Sequence, residues 1–148
     1  MNIIVKSFQE LSKDELYELL NARTEIFVVE QECPYQEVDY MDQKALHILG
    51  KEEGELIAYC RAFKGGDHMK EASIGRVLVK QEHRKRGLGK VIMEASMDAV
   101  RSAFKTNTMA VSAQQYLRQF YNELGFSEVG EPYLEDDIPH IKMVYSEN

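Results

Sequence analysis

A mixed sheet flanked by helices, an α/β (α+β) architecture, is what this sequence predicts. Three observations carry the prediction. The elements run in the order βα–βββ–αβ–αββ, two apolar runs close on each other around Glu53-Gly54, and a long amphipathic stretch separates two β-rich runs. Tight turns make antiparallel neighbours and a helix between strands makes a crossover, so the sheet is mixed and not a purely parallel, doubly wound one.

Ile3, Val5 and their neighbours through Phe8 read as the first strand. Ser12-Lys13-Asp14-Glu15 matches a capping box, with Ser12 as N-cap and Glu15 as its reciprocal partner. Leu16, Leu19, Leu20, Arg23, Ile26 and Phe27 keep a helical period, and that helix ends before Pro34. Residues 45–50 and 56–63 are two strands of a hairpin, Lys64 to Ala72 is a loop, and Ile74 to Lys80 is the central strand. Leu88, Val91, Ile92, Ala95, Ala99 and Ala103 define an amphipathic helix of about four turns. Thr108 to Ala113 is a strand, Leu117, Phe120, Tyr121 and Leu124 mark a short helix closed by Gly125, and two last strands lie near 126–130 and 138–146.

At 148 residues the chain supports one domain, residues 1–148. A chain of about 150 residues buries roughly 68–70% of its unfolded surface, whereas two halves would each be marginal. Hydrophobic content of 44% and charged content of 29% exclude wholesale disorder. The net charge of −7 argues against a nucleic-acid or anionic-membrane binder, whose affinity comes from Lys and Arg neutralising phosphates. Cys33 and Cys60 make neither a disulfide framework nor a metal knuckle, so no metal is expected. With no signal-like N-terminus and no apolar run near the ~20 residues that span a bilayer, the expectation is a cytoplasmic protein with reduced thiols.

An anionic ligand therefore needs a local basic site, and one exists. From Lys80 to Lys90, five bases (Lys80, Arg84, Lys85, Arg86, Lys90) stand against one acid, Glu82, a local charge of +4. Arg84-Lys85-Arg86-Gly87-Leu88-Gly89-Lys90 joins a strand to a helix start. There Gly87 and Gly89 let backbone approach a ligand, and the free N–H groups of the first helical turn point at an anion. Two phosphate motifs fail on reading. A Walker A loop needs Gly where Arg84 stands and Ser or Thr where Val91 stands, and a dinucleotide fingerprint needs a third Gly where Ile92 stands.

The remaining pattern, Arg/Gln-x-x-Gly-x-Gly/Ala, resembles the cofactor signature of the GNAT superfamily of N-acetyltransferases. Tyr121, followed four and five places on by Gly125-Phe126, resembles that family's second signature. Phe27-Val28-Val29-Glu30-Gln31, Cys33-Pro34-Tyr35, Tyr116 to Phe126, and Leu134-Glu135-Asp136-Asp137-Ile138-Pro139-His140 together look like its ElaA-like branch, a match over nearly the whole chain. The resemblance implies a GNAT fold with a mostly antiparallel sheet splayed at the central strand. It also implies acetyl-CoA as co-substrate and direct acetyl transfer to an amine on a small molecule or peptide. Many GNAT relatives are dimers, which leaves a homodimer open.

By the same resemblance, main-chain groups of Val77, Leu78 and Val79 pair with pantetheine, and a bulge there frees an N–H to polarise the thioester. Arg84, Lys85, Arg86, Gly87, Leu88, Gly89 and Lys90 would hold the pyrophosphate, Lys85 and Lys90 having solvation as their other reading. Gln114 stands where the family often has an Asn touching the pantetheine arm. Tyr121 is the candidate general acid, since a phenol of pKa about 10 can protonate a leaving thiolate; its apolar-face spacing equally suits a core tyrosine. His47 and His140 could each take the amine proton, directly or through water. A thioester on Cys33 or Cys60 would need an activating neighbour that the sequence does not supply. Glu30, Glu32, Glu37, Asp39 and Asp42, with Glu135-Asp136-Asp137, read either as solvated loops or as an acidic border that steers a cationic amine. Two other classes share these features: a non-catalytic acyl-CoA-binding sensor or interaction domain, and a nucleotide or phosphate binder.

Overall fold

The computed structural model describes residues 1–146. Seven strands form one sheet: β1 Asn2–Ser7, β2 Leu46–Glu52, β3 Glu55–Phe63, β4 Ala72–Val79, β5 Thr108–Gln114, β6 Ser127–Glu135 and β7 Ile138–Ser146. Their order is β1-β2-β3-β4-β5-β7-β6. All neighbours are antiparallel except β4 and β5, which the crossover helix joins in parallel. The mixed sheet expected from the turns and the crossover is thus the observed one. The β2–β3 and β6–β7 hairpins turn on paired left-handed residues, Glu53-Gly54 and Asp136-Asp137, whose local twist matches that of the strands they join.

Strand alternation gives the sheet two apolar faces. Ala58, Cys60 and Ala62 of β3 face α2 (Leu88–Phe104), whose Ile92, Met93, Met97 and Val100 cover that side together with Val111, Phe126 and Met143. Burying side chains of this size stabilises the fold by about 1.5–3 kcal/mol each. Tyr59 points the other way, with Leu49, Leu56 and Leu78, onto Leu19, Ala22 and Ile26. That covering helix, α1 (Lys13–Arg23), begins at the expected capping box: Glu15 N–H donates to Ser12 Oγ, and Ser12 N–H donates to the Glu15 carboxylate.

The first helix departs from expectation after Arg23. Thr24 to Glu30 continues it as a π-helix, so the apolar period runs on with a wider turn. Thr24 Oγ1 donates to the Leu20 carbonyl, a back-bond that competes with the regular ladder, and Cys33 N–H reaches Val28 O, a five-residue step.

The sheet opens on one side of β4. Parallel pairing with β5 is limited to Ala72–Met109 and Ser73–Ala110, after which the two strands part. On the other side β4 stays laddered to β3 up to Val79, with a bulge: Tyr59 pairs with Leu78 and Arg61 with Gly75, so Cys60 faces both Arg76 and Val77. Arg76 takes φ of 52°, a left-handed conformation costly for a residue with a Cβ. Both splay and bulge were expected from the GNAT resemblance. Among the described residues no helix is long and apolar enough to cross a membrane.

Candidate active site

The opening between β4 and β5 is a cleft of about 420 Å³. Val77, Leu78 and Val79 form one wall, Gln114 and Tyr121 the other, and the π-helix contributes Ile26, Phe27 and Glu30. Since ladder bonds to β5 stop at Ser73, the β4 edge along this wall is left for a ligand. This is the geometry expected of an acyl-CoA arm laid against a strand edge.

The basic turn sits beside the cleft, and its members divide. Arg84 lines the cleft; its Nε donates to Val79 O at 2.9 Å and its guanidinium pairs with Glu30 at 2.8 Å. Arg86 instead reaches the β2–β3 turn, pairing with Glu52 at 2.8 Å and donating to His83 Nδ1. Lys90 is exposed, 4.0 Å from Glu94, and Lys85 is exposed as well. Leu88 is buried under the helix start. Lys85 and Gly87 both take positive φ, 67° and 75°, a backbone that turns successive N–H groups to one side. Gly87 is the N-cap of α2, and the first turn holds no acidic residue. A Cβ on Gly89 would stand 3.5 Å from the Phe120 ring, which lines the cleft, so the open helix start abuts the cleft wall. An unladdered strand edge ending at an uncapped, acid-free helix start fits an acyl-CoA.

Tyr121 lies at the base of the cleft, edge-on to Phe120 and Phe126. Burial raises its pKa well above the usual phenol range. The hydroxyl is therefore held protonated as a donor, and the simple match to a thiolate at pKa about 10 no longer applies. Gln114 also lines the cleft, its Nε2 donating to Gln31 Oε1 at 3.2 Å.

The two candidate histidines separate sharply. His47 is fully buried, with Nε2 donating to Asp42 O at 2.9 Å and Nδ1 accepting from Tyr59 Oη at 2.7 Å. Burial lowers its pKa, and with both nitrogens engaged inside the core it cannot reach a substrate. His140 lines the cleft. The cysteines divide too. Cys60 lies in the core beside Ser96, with burial pushing its thiol up to about 12, which excludes it as a nucleophile. Cys33 lines the cleft and its thiol donates to Asp136 O at 3.6 Å.

Glu30 and Glu32 stay exposed, with Glu30 on the cleft wall, but neither reading fits the other three acids between Glu30 and Asp42. Glu37 and Asp42 are buried, and with Asp39 they join three arginines in a closed ring of alternating charge. Arg23 pairs with Glu37, Glu37 with Arg76, Arg76 with Asp39, Asp39 with Arg61, Arg61 with Asp42, and Asp42 with Arg23, at 2.5 to 3.4 Å. These carboxylates are structural and neutralised, not solvated and not free to steer an amine. Glu135 and Asp136 do border the cleft. The residue that sequence reasoning missed is Arg76: it is the bulge residue, the ring's cleft-facing member, and lies over the Tyr35 ring at 5.6 Å. Nothing in its local sequence distinguishes it from a strand residue.

Comparison with known proteins agrees with this geometry. The family model described as an acetyltransferase (GNAT) domain matches residues 9–147. Protein ElaA of Escherichia coli K12 is 40% identical over 136 residues, covering 90% of this chain and 89% of its own. A UPF0039 protein of Schizosaccharomyces pombe is 37% identical over 97% of this chain and 95% of its own. The crystal structure of an acyl-CoA N-acyltransferase from Pseudomonas aeruginosa superposes with a TM-score of 0.93 at 41% identity, covering 98% of this chain and 99% of that one.

Proposed function

This chain belongs to the GNAT acetyltransferase family, on its ElaA-like branch, and we propose that it moves an acetyl group from acetyl-CoA directly to a primary amine, with Tyr121 as general acid. The observation that carries the reading is the one-sided opening of β4, which runs from the Arg84 turn to Tyr121 inside one cleft. The thioester lies along Val77 to Val79, where a main-chain N–H polarises its carbonyl, and the pyrophosphate sits on the start of α2. Tyr121, protonated and facing the cleft, donates to the sulfur as the C–S bond breaks. The acceptor, a small molecule or a peptide amine, enters from the β6–β7 side, where Glu135 and Asp136 favour a cation. Two free, buried cysteines suit a reducing compartment, and we place the reaction in the cytoplasm.

The test is a scan of polyamines, lysine peptides and peptide N-termini with labelled acetyl-CoA. Tyr121→Phe should lower kcat on the best acceptor by about 100-fold or more while leaving CoA binding unchanged by calorimetry. An unchanged kcat removes Tyr121 from the chemistry. CoA binding by the unaltered protein with no transfer to any amine would favour an acyl-CoA sensor.

A further inference from the structure

Resting on that acetyl-transfer reading, we propose that His140 is the base that deprotonates the acceptor amine, held in place by Glu135. The argument begins with which nitrogen is available. His140 Nδ1 lies 2.7 Å from Ile138 O, and a carbonyl can only accept, so Nδ1 carries a proton and it is on Nε2 that the neutral imidazole has its lone pair. Nε2 in turn lies 3.4 Å from Glu135 Oε2. A neutral imidazole beside a carboxylate has a specific use: once Nε2 takes a proton, the carboxylate stabilises the imidazolium.

The hairpin holds the two groups. Asp136-Asp137 is the two-residue turn, so Glu135 on β6 and His140 on β7 flank the cleft mouth from paired strands. The Tyr133 ring stacks on the imidazole at 6.2 Å between centroids. Tyr133 Oη and Ser112 Oγ hydrogen-bond to each other, and Ser112 donates to Glu135 Oε1 at 3.4 Å, fixing the carboxylate from β5. Gln114, the partner of His140 on β5, contributes no charge. The other titratable groups around the pair are Asp136 on the turn, His68 on the β3–β4 loop within range of the Glu135 charge, Cys33 and Tyr35 on the segment after the π-helix, and Arg76 on β4, whose charge the ring already balances; Glu30, paired with Arg84, and Tyr116 line the same cleft. Tyr121 lines the same cleft, so acid and base face one substrate.

The proton count closes. An ammonium acceptor gives one proton to His140 Nε2, and the freed nitrogen pair forms the C–N bond as the C–S bond breaks. Tyr121 protonates the thiolate, the amide nitrogen's second proton restores Tyr121, and His140 releases its proton to water. One ammonium and one thioester yield one amide, one thiol and one proton.

The test follows thiol release from acetyl-CoA with the best acceptor of the scan, across pH, for the unaltered protein and His140→Gln. The variant should lose about 100-fold or more in kcat/KM near neutral pH, keep CoA binding, and recover about tenfold per pH unit toward the amine's own pKa, about 10 for a lysine-like amine, because only the free base then reacts. A His140→Gln enzyme with the unaltered rate and pH profile overturns the proposal. Should that variant lose CoA binding as well, Glu135→Gln at the exposed position decides: its acid limb should move to lower pH, and an unmoved limb overturns the pairing. Absence of transfer by the unaltered protein would instead remove the parent reading, a result the two variants cannot imitate.

Discussion

Two charged stretches stand out in this chain, acidic from Glu30 to Asp42 and basic from Lys80 to Lys90, and the fold treats them in opposite ways. Most of the acids turn inward. Glu37, Asp39 and Asp42 close a ring with Arg23, Arg61 and Arg76, whose partners lie 14 to 39 residues away in sequence. Arg84, Lys85, Arg86 and Lys90 stay at the surface on an exposed turn, with Lys80 half-buried before it, and of these five bases Arg84 alone lines the cleft. Charge along a sequence is therefore a poor guide to charge in space. A solvated charge can remain where it is, whereas a buried one must find a distant partner or be excluded from the interior.

The largest effect should come from breaking the inward half. Arg23→Met removes the arginine that bridges Glu37 and Asp42, and should cost about 3–5 kcal/mol in urea unfolding, because buried carboxylates lose a partner. Arg86→Gln, which breaks an exposed pair with Glu52, should not move the midpoint measurably. Equal shifts for the two variants would break the comparison.

Acid sharpens it next. Burial works against ionisation of Asp39, but hydrogen bonds and charge from Arg61 outweigh it and hold the group down at about 2; Asp42, opposed by burial and favoured by Arg23, is also lowered. A carboxylate whose pKa is lower folded than unfolded stabilises the fold above its unfolded value near 3.8, and that contribution is lost as pH falls toward 2. Urea midpoints should therefore decline between about pH 4 and pH 2, and Arg61→Met should flatten the decline. The same slope in both proteins would place the acid sensitivity elsewhere, for instance at Glu15 in its capping box.

The smallest effect separates the outward charges from one another. Arg84→Ala should weaken CoA about tenfold, the loss of one charge-assisted hydrogen bond, while Arg86→Ala should weaken it about twofold, through long-range charge alone. Calorimetry at two salt concentrations reads both. An Arg86 loss as large as that of Arg84 would mean that its side chain leaves Glu52 when the ligand binds.

How much was legible depends on the range of the signal. Ser12 and Glu15 sit three residues apart, so their capping box is readable and correct. The same holds for the Glu53-Gly54 turn, the apolar stripe of α2 and the glycines at its start. His47 and His140, by contrast, look alike in sequence as lone histidines on strands. One ends in the core between Tyr59 and Asp42 and the other at the cleft, because strand alternation decides the face but the neighbouring strands decide what covers it. The widened turn after Arg23 was equally hidden, since a π-helix keeps the apolar residues of an α-helix.

The amino-acid sequence by itself determined the order of elements, the capped start of α1, the apolar stripe of α2, the basic turn and its glycines, and Tyr121 within its motif. Each of these is encoded within one helical turn, one strand or one hairpin. Only the tertiary structure decided that β4 parts from β5 after Ser73, that Arg76 forms the bulge, that three carboxylates are spent on three arginines, and that His140 shares the cleft with Glu135. The reason is physical: local dihedral preferences and hydrophobic periods act over a few residues, whereas burial and charge pairing depend on which distant segments the completed sheet brings together.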